Sequence, residues 1–347
     1  MSGTWTSQNK ILPGAYINFL TNAPLSITPG ERGTVVLLQE MSVGTAGDMY
    51  TITVSTNDYP SGIAAEDKLL VNEVLKGAKT VLVYNLGISH SEEVISSALS
   101  ALKTVKFNTI CYPYDGTSYA PNKALIVAWI KALREDEGVK AQAVLANSAS
   151  DEEGVINVAN GIVLSNGTTL TAAQATAWVA GVTAGANINQ SNTGKKYTDA
   201  IDVSPRLTKT EMEAAITAGK FIFKVDSAQN VTAVYDINSL TTTTVDKGEV
   251  FKKNRIIRTI DGINSDIGEI FESNYVGKVD NDADGRAMLR ATLIEYFDEL
   301  QRLSAIQNFT EEDVTVMEGT DGNAIIITCY IQPVDSVEKM YITVNLV

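Results

Sequence analysis

The chain has 347 residues, 44% of them hydrophobic, and carries 41 acidic against 27 basic side chains for a formal net charge of −14. That length holds two or three domains and a large core. The acidic balance, with no basic run longer than the dipeptides Lys195-Lys196 and Lys252-Lys253, excludes the basic footprint that nucleic acid or an anionic membrane requires.

The first ten residues are polar and lack the apolar core of a signal peptide. No run of about 18 apolar residues predicts a membrane span; the softest candidate, residues 172–186, is mostly alanine and glycine and is broken by Gln174. After Pro13, Gly14 to Leu20 reads as a β-strand, with Ala15, Ile17 and Phe19 on one face and Tyr16 on the other. Residues 22–33 are turn-rich, and strands follow at 34–38 and 50–54.

From about residue 66 helices alternate with strands. Residues 67–76 carry a helical apolar stripe closed by Gly77, and Thr80 to Tyr84 is a continuous apolar strand of the kind buried on both faces. Ser89-His90-Ser91-Glu92 fits a capping box before a helix bearing Val94, Ile95, Ala98, Leu99 and Leu102. A strand at 107–112, a helix at 121–137 and a strand at 141–146 complete a β-α-β-α-β succession, which implies a parallel sheet covered by helices.

Further on, Asn160-Gly161 between two apolar runs predicts a hairpin. Thr171-x-x-Gln174 and Thr208-x-x-Glu211 cap two helices; the first is rich in small residues through Gly185 and suits close packing. Residues 221–225 and 231–235 read as a strand pair, and Leu240 to Asp246 as a Thr-rich linker. Two long amphipathic helices follow, within 248–274 and 285–304, whose apolar stripes suit core packing. Strands are expected at 314–316, 324–331 and, running to the last residue, 340–347. The fold class is therefore α/β plus α+β: a parallel or mixed sheet flanked by helices, then a C-terminal domain of two long helices and a small sheet.

Both ends of the chain thus place β-branched and aromatic residues on strands with no partner nearby in sequence. A strand presents N–H and C=O groups that must be paired. Free termini fray unless something ties them down. The strands belong either to the chain's own sheet or to that of a neighbouring copy.

Residues that could carry chemistry form no constellation. His90 is the single histidine; its serine neighbours at a helix start point in different directions, so no triad is expected and a surface or capping-region role is. One histidine excludes multi-His metal sites, and Cys111 and Cys329, each in an apolar run, are expected as buried free thiols in a chain that folds in a reducing cytoplasm. Asp280 to Gly285 matches the first half of an EF-hand loop, but the twelfth position is Ala291; the segment reads as a turn with Asp284 as N-cap. Gly194-Lys195-Lys196 lacks the first glycine and the Ser/Thr of a P-loop, and no G-x-G-x-x-G occurs. Arg134 to Glu137 reads as a solvated helix end. Neither cofactor nor metal is implied.

Six stretches together resemble the tail sheath proteins of contractile phage tails and phage-tail-like bacteriocins, most closely those of Gram-positive phages. They are residues 3–19 with Trp5 and Pro13-Gly14-Ala15-Tyr16-Ile17-Asn18-Phe19; 172–191 with Trp178 and Asn189-Gln190-Ser191; Lys253-Asn254-Arg255-Ile256-Ile257-Arg258 with Ile263; Gly277-Lys278-Val279 with residues 281–286; Ala305-Ile306-Gln307-Asn308-Phe309; and residues 331–341. No one of them is decisive, but their order and spacing cover nearly the whole chain. Larger relatives insert a β-rich domain after the strand at 80–84; here a helix follows, so the chain resembles a compact sheath.

The resemblance implies a non-enzymatic homo-oligomer of stacked hexameric rings around a tail tube, capped by baseplate and tail-terminator proteins. It would contract without nucleotide hydrolysis, as part of a virion tail or extracellular phage-tail-like particle assembled in the bacterial cytoplasm, with no membrane insertion. It divides the chain into an exchange arm (1–23), an α/β domain (24–240), a sheath core domain (241–337) and a second exchange arm (338–347). The arms would add strands to neighbours' C-terminal-domain sheets, which makes Tyr16, Ile17 and Phe19, with Met340, Tyr341, Ile342, Val344 and Leu346, the candidate functional residues. A soluble α/β enzyme with an unrecognised site and another tail structural component are the alternatives.

Overall fold

The computed structural model describes residue 30 and residues 32–345; residues 1–29, 31, 346 and 347 lie outside the described residues. Contacts divide the chain into two units. One holds the described residues up to Gly268 together with those from Pro333 on, and the other spans Glu269–Gln332.

A seven-stranded sheet organises the larger unit. Its strands are β1 (Thr34–Gln39), β2 (Met49–Thr53), β3 (Thr80–Asn85), β4 (Thr109–Cys111), β5 (Gln142–Ala146), β6 (Val155–Val158) and, later in the chain, β10 (Lys220–Phe221). The spatial order is β10-β6-β5-β4-β1-β3-β2, parallel throughout except for the antiparallel edge strand β2. Helices α1 (Ala65–Leu75) and α4 (Ala172–Gly185) cover one face, and α2 (Glu92–Leu102) with α3 (Ala120–Glu135) cover the other. Successive residues of β1 serve both layers: Val35 and Leu37 pack with Val74 and Trp178, whereas Val36 and Leu38 pack with Ile95 and Ile130. That is why the strand reads as an unbroken apolar run.

Helix α4 is buried all round, and its glycines let backbone meet backbone. A Cβ on Gly181 would lie 2.2 Å from the Val74 carbonyl oxygen of α1. The capping boxes predicted at Thr171 and Thr208 are both present, the second opening α5 (Lys209–Thr217). Strand β7 (Gly161–Leu164) pairs with β8 (Thr169–Leu170) and β9 (Ala200–Ser204) in a separate antiparallel sheet. Strands β11 (Phe223–Val225) and β12 (Val231–Ala233) form a two-stranded ribbon.

Several local expectations are corrected. Asn160-Gly161 makes no hairpin, because β6 and β7 belong to different sheets. Asn160 instead donates from Nδ2 to the Phe223 carbonyl at 2.9 Å, and its Oδ1 accepts from the Phe223 N–H at 2.9 Å. Gly161 is needed because a Cβ would meet the Leu170 carbonyl at 2.1 Å. Of the run 221–225, the first residue joins the large sheet through β10, and only Phe223–Val225 pairs with β12. No capping box forms at Ser89, whose φ is +59°; α2 starts at Glu92, and the Ser91 hydroxyl donates to the Glu93 carboxylate at 2.6 Å. The Thr-rich stretch has no regular structure, yet it is tied down: Asp151 accepts from the N–H groups of Thr241 and Thr242 at 2.6 and 2.8 Å.

Helix α6 (Asn254–Ile270) runs with the larger unit as far as Gly268. The smaller unit contains a π-helical turn (Phe271–Tyr275), α7 (Ala283–Arg302), β13 (Ile306–Gln307) and the antiparallel pair β14 (Val314–Glu318) and β15 (Ile325–Cys329). Its core gathers Leu293, Tyr296, Phe297 and Leu300 of α7 with Phe309 and Val314; the Phe297 and Phe309 rings lie 5.2 Å apart. The N-cap of α7 is Asp282, which accepts from the Gly285 N–H at 2.8 Å, not the expected Asp284. Cys111 is buried as expected, but Cys329 is half-exposed. Among the described residues no helix is long and apolar enough to cross a membrane.

Candidate assembly site

The described residues from Pro333 onward belong to the larger unit. From Val334 to Asn345 they form neither helix nor strand ladder among the described residues. The β-forming sequence is nevertheless kept out of the core. Met340 is 76% exposed, Tyr341 90%, Ile342 72% and Val344 76%, so both faces of the prospective strand are open. Tyr16, Ile17, Phe19 and Leu346, the other residues singled out in the sequence, lie outside the described residues. Exposed large apolar side chains contiguous in sequence are uncommon on the surface of a single chain.

Before this run the chain is held at Glu338. Its carboxylate accepts from Thr193 Oγ1 at 2.8 Å, from Ser336 Oγ at 3.1 Å and, in a short ion pair, from Lys253 Nζ. Lys253 stands just ahead of α6, donates to the Tyr235 hydroxyl at 2.6 Å and lies 4.0 Å above the Tyr235 ring. Burial opposes the charge on both groups, but their pairing prevails: Glu338 is held below its ordinary value and Lys253 above its own.

Behind the anchor lies a buried polar node that absorbs two of the sequence stretches noted above. Asp236 accepts from Asn254 Nδ2 at 3.0 Å and from the Asn192 N–H at 2.9 Å, and it faces the Arg258 guanidinium at 3.5 Å. Arg258 also donates to the carbonyls of Thr183 and Gln190. A second link is bidentate: Arg134 Nη1 and Nη2 reach the Asp261 carboxylate of α6 at 2.8 and 2.9 Å, with both side chains buried. Arg134 is therefore not part of a solvated helix end. Such pairs are retained only when geometry repays desolvation, and here they seat the first turns of α6 on the sheet unit.

Ligands of doubly wound sheets bind beyond the C-terminal ends of the strands, at the switch in strand order. In this chain that position, beside β1 and β4, is occupied by rings. His90 lies 4.9 Å from Tyr114 and 5.5 Å from both Tyr112 and Tyr119. Its Nδ1 is 2.8 Å from Glu40 Oε1 and its Nε2 2.7 Å from the Tyr112 hydroxyl. The His90 side chain is wholly buried, which corrects the expected surface placement. Burial pushes the Cys111 thiol up to about 12, against a hydrogen bond with Thr176, so it is no nucleophile. The Gly194-Lys195 stretch runs along β12 with bonds to Ala233 of 2.8 and 3.0 Å, rather than cradling an anion. Among the described residues no cluster of His, Cys, Asp and Glu is placed to hold a metal.

Three family models match successive parts of the chain: tail sheath protein Gp18 domain III N-terminal region over residues 32–86, the phage tail sheath protein central domain over 90–239, and the phage tail sheath C-terminal domain over 246–347. Protein YqbK of Bacillus subtilis is 38% identical over 256 residues, 72% of this chain and 54% of the relative, so the match spans about half the length of that protein. The tail sheath protein of Clostridium phage phiCD119 is 32% identical over 271 residues, 76% of this chain and 74% of the relative. The crystal structure of a sheath tail protein from Desulfitobacterium hafniense superposes with a TM-score of 0.83 at 34% identity, covering 95% of this chain and 99% of that one. The helical sheath of the anti-feeding prophage in its contracted state shares the fold, with a TM-score of 0.75 at 14% identity over 97% of this chain and 99% of that one. The chain belongs to the phage tail sheath protein family, and it is a structural protein rather than an enzyme.

Proposed function

We propose that this chain is the repeating subunit of a contractile tail sheath. Copies stack as hexameric rings around a tail tube, between a baseplate and a tail terminator, in a virion tail or phage-tail-like particle assembled in the bacterial cytoplasm. The observation that carries this reading is the C-terminal segment, whose strand-forming residues Met340, Tyr341, Ile342 and Val344 are exposed on both faces beyond a fixed root. A two-stranded sheet such as β14–β15 is marginal by itself. Its outer edge is a natural acceptor for a strand from a neighbour, and the N-terminal strand with Tyr16, Ile17 and Phe19 would supply another. Main-chain hydrogen bonds supply such a linkage while pockets for alternate side chains fix the register. Linked subunits can then exchange one packing for another without separating, and the more favourable packing in the short form drives the tube through a cell envelope.

Deletion of residues 340–347 tests the reading. The truncated chain is expected to fold with an unchanged melting temperature and to stay unassembled under conditions where the full chain forms striated tubes in negative stain. Tubes of ordinary length from the truncated chain would overturn it.

A further inference from the structure

Glu338 is out of place in its own segment. Val337 before it is 90% exposed and Met340 after it 76%, yet the Glu338 side chain is only 8% exposed. A carboxylate is taken out of water only where partners replace its hydration. Here the partners are prepared by three separate parts of the larger unit. Thr193 Oγ1, which donates to Glu338, is itself held by the Asp236 N–H at 3.0 Å. Tyr235 orients Lys253 through its hydroxyl and its ring. Lys253 is fixed in turn by the start of α6, where the Asn254 N–H donates to the Asp236 carbonyl at 3.0 Å. Asp335, 3.5 Å from Lys253, adds a second carboxylate from the arm.

We infer that Glu338 is the root clamp of the C-terminal arm, plugging into a socket of Thr193, Tyr235 and Lys253 so that the free tether begins at Lys339 rather than at Val334. The inference rests on the strand-exchange reading above and adds a length to it. Unseating Glu338 frees residues 334–338 as well, and at about 3.4 Å per extended residue that lengthens the tether by about 17 Å. Tether length sets both the reach of the strand and its effective concentration at an acceptor edge. A clamp at a fixed residue also fixes which face of the donated strand is presented, since a slip of one residue reverses it.

The test uses the full chain, kept dilute enough to stay unassembled, with Cys329→Ser and a nitroxide on Val337→Cys; Cys111 is too buried to react. With the clamp intact the label should tumble slowly with the body. Glu338→Gln and Lys253→Met should each bring it to the fast local motion of a free tail, a several-fold shorter correlation time. The double variant should go no further than the larger single effect, because the two changes remove one interaction. A label on Met340→Cys should be fast in every background. A slow label in Glu338→Gln, or a fast one with the socket intact, would overturn the clamp. Circular-dichroism melting shows whether Lys253→Met still folds, and Glu338→Gln, in the arm itself, gives the result independently. If the label responds as stated but removal of residues 340–347 leaves tube formation intact, the exchange reading falls and the clamp loses its role in linkage. If truncation abolishes tubes and the label does not respond, only the clamp falls.

Discussion

The contact between α1 and α4 makes a prediction whose sign separates two accounts of a glycine. Gly181 lies in a helix, where alanine is favoured over glycine by about 1 kcal/mol, so propensity alone says that Gly181→Ala stabilises. The structure says the opposite. A Cβ there would sit 2.2 Å from the Val74 carbonyl oxygen and 2.9 Å from its carbon, and the neighbouring close approaches, Gly77 to Val182 N at 2.5 Å and Gly185 to the Gly77 oxygen at 1.8 Å, are backbone too. No flexible side chain can move aside, so the helices must part by more than an ångström, and the layer of Val71, Val74 and Trp178 beneath them loosens. Overpacking of this kind costs typically 1–3 kcal/mol and occasionally more. With backbone on both sides, a net loss of about 2 kcal/mol is expected. At about 2–4 °C per kcal/mol for a unit of this size, melting should fall by about 4–8 °C. Gly268 in α6 is the control: nothing among the described residues lies within 4 Å of its Cβ position, so Gly268→Ala should gain up to about 1 kcal/mol. Calorimetry or urea unfolding of the unassembled chain measures both. If Gly181→Ala melts at or above the parent temperature, the helices are not in backbone contact and the reasoning is wrong.

Arg134→Met leaves the buried Asp261 carboxylate without its bidentate partner and should cost about 3–5 kcal/mol, while Arg134→Met with Asp261→Leu should recover most of that loss; urea midpoints would show it. Acid should release the root of the arm. Glu338 has its folded value depressed, so its contribution is present above the unfolded carboxylate range and is lost as pH falls through the lowered value; the Val337→Cys label should turn fast only in acid below the ordinary carboxylate range. Release near neutrality would contradict that assignment. Ile342→Asp changes a side chain that is 72% exposed in the single chain. Monomer stability should therefore move by less than about 0.5 kcal/mol. Loss of a burial worth about 1.5–3 kcal/mol in a neighbour should raise the concentration needed for tubes about tenfold or more, by sedimentation.

Much of the larger unit was legible from period and caps. The apolar run at 34–38 announced a strand, the one at 80–84 a strand buried on both faces, and the reciprocal caps at Thr171 and Thr208 form as read. What misled were residues whose local signal serves a distant partner. Asn160-Gly161 carries turn chemistry, but the amide completes the ladder of Phe223 and the glycine makes room for Leu170. Arg134, in a charged stretch at a helix end, is drawn inward by Asp261, 127 residues later. His90 is buried by three tyrosines from the stretch after β4, which reaches it because β3 and β4 both flank β1. The alternation at 340–347 reads as a strand, but the described residues there pair with nothing in the single chain, and the buried Glu338 ahead of them has no pattern of its own. Its socket exists only after residues 193, 235 and 253 have been folded together.

The central claim is that the C-terminal strand is completed by another copy. Electron cryo-microscopy of assembled tubes tests it most directly, by following the main chain from Glu338 to the last residue. The account predicts that density leaves the body at the Thr193–Lys253 socket and enters the β14–β15 sheet of a neighbouring subunit as an added strand. Density that turns back and pairs residues 340–347 within the subunit's own sheets would contradict it.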